Sequence, residues 1–211
     1  MYALKNFFQI KFDTEYFLLN NYLKTHMPLH KRINMKIKYS IRPALFEDIE
    51  DILKLNQDTW DISYKDYIPH HVLEERHKTI NKRIKRWQEN WEKEQIGFIA
   101  EFDGKIIGEV TGGLNSQTSD CDCILCSLYI HPNYQKCGIG KSLFLTFIDE
   151  MKKHHRHKIE IHTMYKGIPD KNGIAKLGPS IGFYQKMGCT LTEIYDTHPL
   201  GMTSVLMIKE L

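Results

Sequence analysis

Apolar residues follow two different spacings along this chain, and each spacing predicts one kind of element. From residue 39 onward, some segments repeat their apolar residues every three or four positions, which is typical of helices with one buried face. Others are short apolar runs bounded by turn residues, which predict strands. The predicted strands are 39–42, 96–102, 105–110, 123–130, 158–163, 190–195 and 202–209, and the predicted helices are 47–60, 72–94, 138–153 and 179–187.

The order of these elements predicts an α/β fold. Asp103 and Gly104 separate two apolar runs and therefore mark a hairpin. Strands and helices alternate after it, which predicts a mixed sheet with helices on both faces. Trp87 and Trp91 recur at helical spacing in the long predicted helix 72–94, so we expect them in the core rather than in a ligand-stacking role.

Residues 1–38 form a predicted helical and basic extension ahead of a domain at 39–211. Helical spacing in 12–24 precedes a stretch rich in Lys and Arg. A targeting presequence is one alternative, although Asp13 and Glu15 do not suit a mitochondrial one. A helical arm packed on the domain or on a partner is the simpler interpretation, and a nucleic-acid contact through the basic stretch is a weaker one.

The composition is that of a soluble globular protein, with 42% apolar and 26% charged residues among 211. A formal net charge of +3 is too small to indicate nucleic-acid binding, and no apolar run approaches the roughly 20 residues of a membrane-spanning helix. Cys121, Cys123 and Cys126 lie in a predicted strand, whose side chains alternate between two faces. We therefore expect no metal site, reduced thiols and a cytoplasmic location.

Two glycines after the fourth predicted strand indicate a loop that binds an anion. The strand ends at Ile130, and Gly138 and Gly140 open a helix whose first N–H groups have no intrahelical partner. Because glycine lacks a Cβ atom, an anion can approach the backbone there, and Lys136 and Lys141 add positive charge. Glycines that only allow tight packing between strand and helix are the alternative.

The residues around this loop resemble the GNAT superfamily of N-acetyltransferases. Gln135-Lys-Cys-Gly-Ile-Gly140 fits its Gln/Arg-x-x-Gly-x-Gly/Ala signature, and Leu128-Tyr-Ile-His-Pro132 is similar to the strand end that precedes it. A second block, Ile181-Gly-Phe-Tyr-Gln-Lys-Met-Gly-Cys189, resembles the family's Phe-Tyr-x-x-x-Gly-Phe helix end. The resemblance covers roughly residues 39–211.

The resemblance implies a GNAT-like, mostly antiparallel central sheet and an N-acetyltransferase. Such an enzyme moves an acetyl group from acetyl-CoA, its co-substrate, to a primary amine by direct attack in a ternary complex, without a metal. In the family the strand before the loop splays from its neighbour, and its free amides hold the thioester and the pantetheine arm. The residues expected to bind the cofactor are Leu128, Tyr129, Ile130, Gln135, Lys136, Cys137, Gly138, Ile139, Gly140, Lys141 and Ser142.

Acetyl transfer also needs a proton donor for the departing thiolate. The resemblance implies that Tyr184 is this donor, and a phenol with a pKa of about 10 stays protonated at neutral pH. A packed aromatic residue beside Phe183 is the alternative interpretation of Tyr184.

The general base is open at this stage. Many relatives carry a glutamate near the position of residues 124–126, where this chain has no acid. Glu109 and Asp122 are therefore the catalytic candidates for the base, and His131 is a weaker one, because each lies close to the expected cleft.

The acceptor is open as well. A small-molecule or peptide amine is expected, such as a protein N-terminus, a lysine side chain, a polyamine or an aminoglycoside, and Asp58, Asp61 and Asp66 give its expected site modest acidity. Neither a membrane nor nucleic acid is expected as a partner, and a homodimer is left open. A non-catalytic module that binds acetyl-CoA or a partner is the alternative from another functional class.

Overall fold

The structure, a computed structural model, describes residues 38–91, 95–167, 172–174, 176–196 and 202–211, without the side chains of 193–196. The predicted extension lies outside these residues except for Lys38, so its helix and its basic stretch stay predictions. Lys38–Leu211 is one compact unit. Among the described residues, no helix is both long enough and apolar enough to cross a membrane.

Strands and helices of the described residues follow the predicted order. The strands are β1 (Ser40–Pro43), β2 (Gln95–Phe102), β3 (Lys105–Gly113), β4 (Cys123–Ile130), β5 (Lys158–Lys166), β6 (Thr190–Asp196) and β7 (Thr203–Glu210). The helices are α1 (Ile49–Ser63), α2 (His70–Lys78), α3 (Ile80–Asn90), α4 (Ile139–Lys153) and α5 (Ile181–Lys186), with 3-10 turns at Phe46–Asp48 and Pro132–Tyr134.

These strands form one 7-stranded sheet in the order β1-β2-β3-β4-β5-β7-β6. Every neighbouring pair is antiparallel except β4 and β5, which run parallel. The predicted mixed, mostly antiparallel sheet is therefore confirmed. Because parallel strands need a crossover, α4 connects β4 to β5.

Helices α1 and α4 cover opposite faces of the sheet. A Cβ atom on Gly108 of β3 would lie 3.1 Å from Leu143 of α4, so this position faces α4. The next residue, Glu109, has Asn56 of α1 as a hydrogen-bonding neighbour. Successive side chains of a strand point to opposite faces, and β3 therefore presents Glu109 to α1.

The main core lies between α4 and the sheet. Leu143, Phe144, Phe147 and Met151 of α4 are fully buried. They belong to one cluster with buried residues of the strands, among them Val110, Leu125, Ile159, Ile161, Val205 and Met207. The burial of these apolar side chains fixes the position of the start of α4 relative to β4.

The predicted helix 72–94 is in fact two helices, because the chain turns at Thr79. Thr79 has φ −97° and ψ 3°, and its hydroxyl donates to the Glu75 carbonyl at 2.9 Å. The expectation that Trp87 and Trp91 are core residues is wrong. No residue of α3 is buried, and the two indoles stack on each other with centroids 6.5 Å apart. The reason is that α3 packs against α1 rather than against the sheet.

Candidate active site

The start of α4 has the backbone geometry of an anion-binding loop. Gly138 precedes the helix with a φ of 84°, in the left-handed region that favours glycine, and Lys136 has a φ of 63°. Ser142 N–H makes the first helical hydrogen bond, to the Gly138 carbonyl at 3.0 Å. Within the described part of the chain, the N–H groups of residues 139–141 find no acceptor. Main-chain donors are thus left for a ligand, as the sequence predicted.

Gln135 fixes this loop to the end of β4. Its Nε2 donates to the Ile130 carbonyl at 3.0 Å and lies 3.5 Å from Ser63 Oγ at the end of α1. The sequence signature contains this glutamine but does not show what its side chain contacts. In the structure it positions the loop, because it ties three elements together at one point.

A cavity of 770 Å³ opens beside the loop. Its lining includes Thr59, Ser63, Tyr64, Leu128, Tyr129, Ile130, Tyr134, Gln135, Lys136, Gly138, Gly140, Lys141, Pro179, Ser180, Phe183 and Tyr184. A Cβ atom on Gly138 would meet nothing within 4 Å, and one on Gly140 would lie 3.6 Å from Ile130 and Phe183. Gly138 therefore faces open space, and a Cβ atom on Gly140 would make only ordinary van der Waals contacts, so close strand-to-helix packing requires neither glycine.

Three predicted cofactor residues have side chains that point elsewhere. Ile139 is buried in the core at 1% exposure. Ser142 Oγ accepts a hydrogen bond from Tyr39 at 2.8 Å, and Cys137 Sγ lies 3.6 Å from the Gln135 carbonyl. Their contribution to a bound anion is limited to the backbone.

Strands β4 and β5 part in front of the loop. Their parallel pairing runs only from Cys123↔Ile159 to Leu125↔Ile161. His131 N–H still donates across to the Ile107 carbonyl of β3, at 2.9 Å. By alternation along a strand, the backbone groups of Leu128 and Ile130 face away from β3 and into the gap. This gives the splayed strand that the resemblance implied.

Glu109 is a fully buried carboxyl group in the middle of the sheet. It stands opposite Tyr129 on β4, and Ser127 Oγ donates to its Oε2 at 3.0 Å. Ser127 Oγ in turn lies 2.6 Å from Thr111 Oγ1. These contacts place a titratable group and two hydroxyls on the α1 face of the sheet.

Burial sets the ionisation of this group. It raises the pKa of Glu109 from 4.5 to about 8, while hydrogen bonds with Ser127 and Asn56 act in the opposite direction. Within the described residues, Glu109 Oε1 and Asn56 Oδ1 are both buried without a partner. Since both atoms are acceptors, a proton on Oε1 turns one of them into a donor. The protonated carboxyl therefore suits this site at neutral pH.

Tyr184 lines the cavity from α5 at 5% exposure. Its ring packs edge-on against Phe183 and Phe144, with centroids 5.2 Å and 6.1 Å away. Burial raises the pKa of Tyr184 well above 10, and Tyr64 and Tyr129 act in the same direction. Both of these tyrosines also line the cavity, and the phenol of Tyr184 stays protonated there.

Trp60 and Arg76, which the sequence did not assign to the site, adjoin Tyr64 and Tyr129 of the cavity lining without lining the cavity themselves. Trp60 Nε1 donates to Tyr129 Oη at 2.9 Å, and the Trp60 ring stacks on Tyr64 with centroids 4.7 Å apart. The guanidinium carbon of Arg76 lies 3.8 Å from the centroid of the same indole. Only the spacing of Trp60 and Tyr64 on α1, four residues apart, was a signal available in the sequence.

Asp122 and His131 are not brought together with Tyr184. Asp122 precedes β4, at the end of the strand away from the loop, and accepts from the N–H groups of His157 at 2.8 Å and Lys158 at 3.1 Å. Burial would raise the pKa of Asp122, but these hydrogen bonds together lower it below its usual value. His131 Nδ1 accepts from Asn133 N–H at 3.2 Å. Both side chains therefore accept hydrogen bonds from backbone N–H groups of their own surroundings.

The aspartates expected to make the acceptor region acidic are exposed or already bonded in the structure. Asp58 and Asp66 are exposed. Asp61 is tied to His77 at 2.8 Å and accepts from Gln57 at 3.0 Å. Among the described residues there is no group of His, Cys, Asp or Glu side chains that could hold a metal, and the five cysteines are free.

A loop of free amides beside parted strands can hold an anionic ligand, and comparison with known proteins gives the family. The model of the Acetyltransferase (GNAT) family matches residues 49–189, which is more than half of the chain. The chain therefore belongs to the GNAT family, and the protein is an acetyltransferase. The resemblance read from the sequence motifs is confirmed.

Curated relatives and solved structures agree with this assignment. The uncharacterized N-acetyltransferase YuaI of Bacillus subtilis is 26% identical over 150 residues, covering 69% of this chain and 77% of that protein. The PaiA N-acetyltransferase of Thermoplasma acidophilum, solved with coenzyme A, is 21% identical with a TM-score of 0.60, covering 82% of this chain and 99% of that one. The ribosomal-protein-S18-alanine N-acetyltransferase of Escherichia coli is 16% identical with a TM-score of 0.55, over 82% and 94% of the two chains. The two solved structures share the fold with this chain.

Proposed function

We propose that this protein transfers the acetyl group of acetyl-CoA to a primary amine by direct attack in a ternary complex. The observation that supports this most is the row of unpartnered N–H groups at residues 139–141, which open onto the 770 Å³ cavity beside the parted strands. The diphosphate of the cofactor fits these donors, because an anion at a helix start gains both hydrogen bonds and the helix dipole. Lys136 and Lys141, which also line the cavity, add charge there.

The pantetheine arm would lie along the gap between β4 and β5. The backbone groups of Leu128 and Ile130 that face this gap can bond its amides as a neighbouring strand would. This orientation brings the thioester toward Tyr184 and Tyr129 at the far end of the cavity lining. A backbone N–H fixed at that point stabilises the oxyanion that develops when the amine attacks the thioester carbon.

Glu109 is our candidate for the general base. The attacking amine must lose a proton, and neither Glu109 nor Ser127 lines the cavity. The proton would therefore travel through water and Ser127 Oγ to Glu109 Oε2, to which Ser127 is bonded at 3.0 Å. A carboxylate whose conjugate acid has a pKa of about 8 is a stronger base than an ordinary carboxylate. About one tenth of the enzyme is in that form at pH 7, so the rate should rise through pH 8.

Tyr184 is our candidate for the donor to the thiolate. When the C–S bond breaks, the negative charge moves to sulfur, and a phenol that stays protonated can donate a hydrogen bond to it. This hydrogen bond strengthens as charge develops, so it lowers the barrier more than it favours binding of the substrate.

A thiol-release assay over a panel of amines tests the proposal. Purified protein with acetyl-CoA should release free CoA only when a suitable amine is present, and mass spectrometry should find the amine heavier by one acetyl group. Calorimetry should show one CoA site per chain. If CoA does not bind, or if thiol release does not depend on any amine, the proposed reaction is wrong.

A further inference from the structure

Two arginines lie near Tyr129, a residue of the cavity lining, although neither arginine is itself part of that lining. The guanidinium carbon of Arg76 of α2 is 3.8 Å from the centroid of the Trp60 ring, and Trp60 donates a hydrogen bond to the Tyr129 hydroxyl. Arg83 of α3 reaches the same region, where its Nη1 donates to Gln57 Oε1 at 3.3 Å. Both guanidinium groups interact electrostatically with the Tyr129 phenol, which lines the cavity. Two cations therefore lie beside one residue of the cavity lining, close to where an acceptor would approach.

The charge of this pair is not balanced by carboxylates. Neither Arg76 nor Arg83 forms an ion pair within the part of the chain that the structure describes, and Arg76 Nε is buried without a hydrogen-bond partner. Asp61 attracts Arg76 electrostatically, but its two oxygens are engaged by His77 and Gln57. Glu109, the buried carboxyl beyond Tyr129, is mostly protonated at neutral pH.

Both arginines show the effect of this environment. Burial lowers the pKa of Arg76 to about 10, and repulsion from Arg83 lowers it further in the same direction. Burial also lowers the pKa of Arg83. Two partly desolvated cations near each other favour a bound anion, because an anion restores the charge balance and supplies acceptors. Neither side chain is fully buried, so a ligand can reach them.

We infer that Arg76 and Arg83 bind an anionic group, a carboxylate or a phosphate, on the acceptor whose amine is acetylated. The guanidinium group suits both, since its planar donors pair with two oxygens at once. Trp60 and Tyr64 form an aromatic wall beside this group that can contact the stem joining it to the amine. Polyamines and other polycations are then poor substrates. This inference rests on the proposed acetyl transfer and gives it a substrate class.

Matched pairs of amines test the inference. Lysine is compared with cadaverine, which lacks the carboxylate, and O-phosphoethanolamine with ethanolamine, which lacks the phosphate. The anionic member of at least one pair should have a kcat/KM at least tenfold higher, and the pair that responds distinguishes carboxylate from phosphate. Equal rates within both pairs, or a preference for cadaverine or spermidine, would overturn the inference while leaving acetyl transfer intact.

Variants of the two arginines connect the preference to this site. R76M and R83M should each raise KM for the anionic amine at least tenfold and leave the KM for acetyl-CoA unchanged, and R76K should recover part of the loss. R86M is the matched control, because Arg86 is an exposed arginine on α3 and its side chain has no part in the site. If KM for acetyl-CoA rises instead, the arginines bind the cofactor and the inference is wrong.

A binding measurement tests the inference without requiring turnover. Melting temperatures of the CoA-loaded protein are recorded with lysine, O-phosphoethanolamine, cadaverine and ethanolamine. An anionic amine should raise the melting temperature of the wild type and of R86M, but not that of R76M or R83M. The absence of any difference between anionic and cationic amines would overturn the inference, whereas loss of CoA binding in calorimetry would instead overturn the proposed function.

Discussion

The sites that we propose for the cofactor and for the acceptor offer different binding groups. At the phosphate loop the donors are main-chain N–H groups of residues 139–141, held by Gln135 and by the left-handed Gly138. At the proposed acceptor site the groups are side chains of the α1 and α2 region, with Arg76 on Trp60 and Trp60 on Tyr64. Backbone donors are available whatever the neighbouring side chains are, provided that glycines occupy the right positions. The proposed acceptor site depends instead on tertiary contacts between side chains. In the proposed reaction the backbone would thus recognise the common substrate, and side chains would recognise the variable one.

The largest effect should come from blocking the free backbone N–H groups at the start of α4. In G138V, a β-branched residue is forced to a φ of 84°, and its side chain enters the space in front of the free amides. We expect affinity for acetyl-CoA in calorimetry to fall at least 100-fold. G173V is the control, since Gly173 has a φ of 75° and open space around it but does not line the cavity. Equal loss of affinity in both variants would contradict a role for the loop in binding.

Glu109 should give the next largest effect. E109Q keeps the shape of the side chain but cannot accept a proton, so we expect kcat/KM to fall about 100-fold and its rise through pH 8 to disappear. A pH profile from 6 to 9.5 checks this. A variant that keeps the same rising limb would show that another group, or the amine alone, sets the pH dependence.

The same substitution should change stability in a pH-dependent way. Below pH 4.5 the carboxyl is protonated in both folded and unfolded chains. As pH rises toward 8, only the unfolded chain ionises, so the wild type loses stability on the order of 5 kcal/mol, and E109Q does not. Urea unfolding at pH 5 and pH 9 should therefore find E109Q increasingly more stable than the wild type. A constant difference across this range would mean that the pKa of Glu109 is not raised by the fold.

A smaller kinetic effect is expected at Tyr184. Y184F removes the hydroxyl and keeps the ring that packs on Phe183, so kcat should fall about tenfold with little change in KM for acetyl-CoA. Y165F removes a hydroxyl outside the cavity lining and should leave kcat unchanged. Normal turnover by Y184F would assign the proton donor to another group, with Tyr64 the next candidate in the lining.

The smallest effect should be structural. D122A removes the carboxylate that accepts the N–H groups of His157 and Lys158, so we expect a loss of about 1–3 kcal/mol in the free energy of unfolding. The pH profile of kcat/KM for the folded fraction should match that of the wild type. A shifted profile would return Asp122 to the list of candidate bases.

The backbone end could be predicted from the sequence, because its determinants are local. Gln135, Gly138 and Gly140 follow one another in a single loop, and the order of strand, loop and helix is visible in the apolar pattern. The sheet and its parted strands followed from the resemblance that these residues carry. Requirements of the local backbone can therefore be recognised directly in the sequence.

The acceptor end could not be predicted in the same way. Glu109 and Asp122 were equal candidates until the register placed Glu109 opposite Tyr129, because apolar spacing does not give strand pairing. Arg76 lies in a charged helix whose spacing does not show that it covers Trp60. The apolar repeat containing Trp87 was read correctly as a helix face, but the repeat does not say which element covers that face.

The short contact between β4 and β5 makes the sheet two half-sheets joined along one narrow seam. The seam is three residue pairs long, from Cys123↔Ile159 to Leu125↔Ile161, and beyond it the two halves diverge. On the proposed function, a cofactor lying in the wedge would act as a substitute strand that bridges both halves. Coenzyme A would then brace the domain as well as react, and each turnover would remove and replace part of what unites the domain.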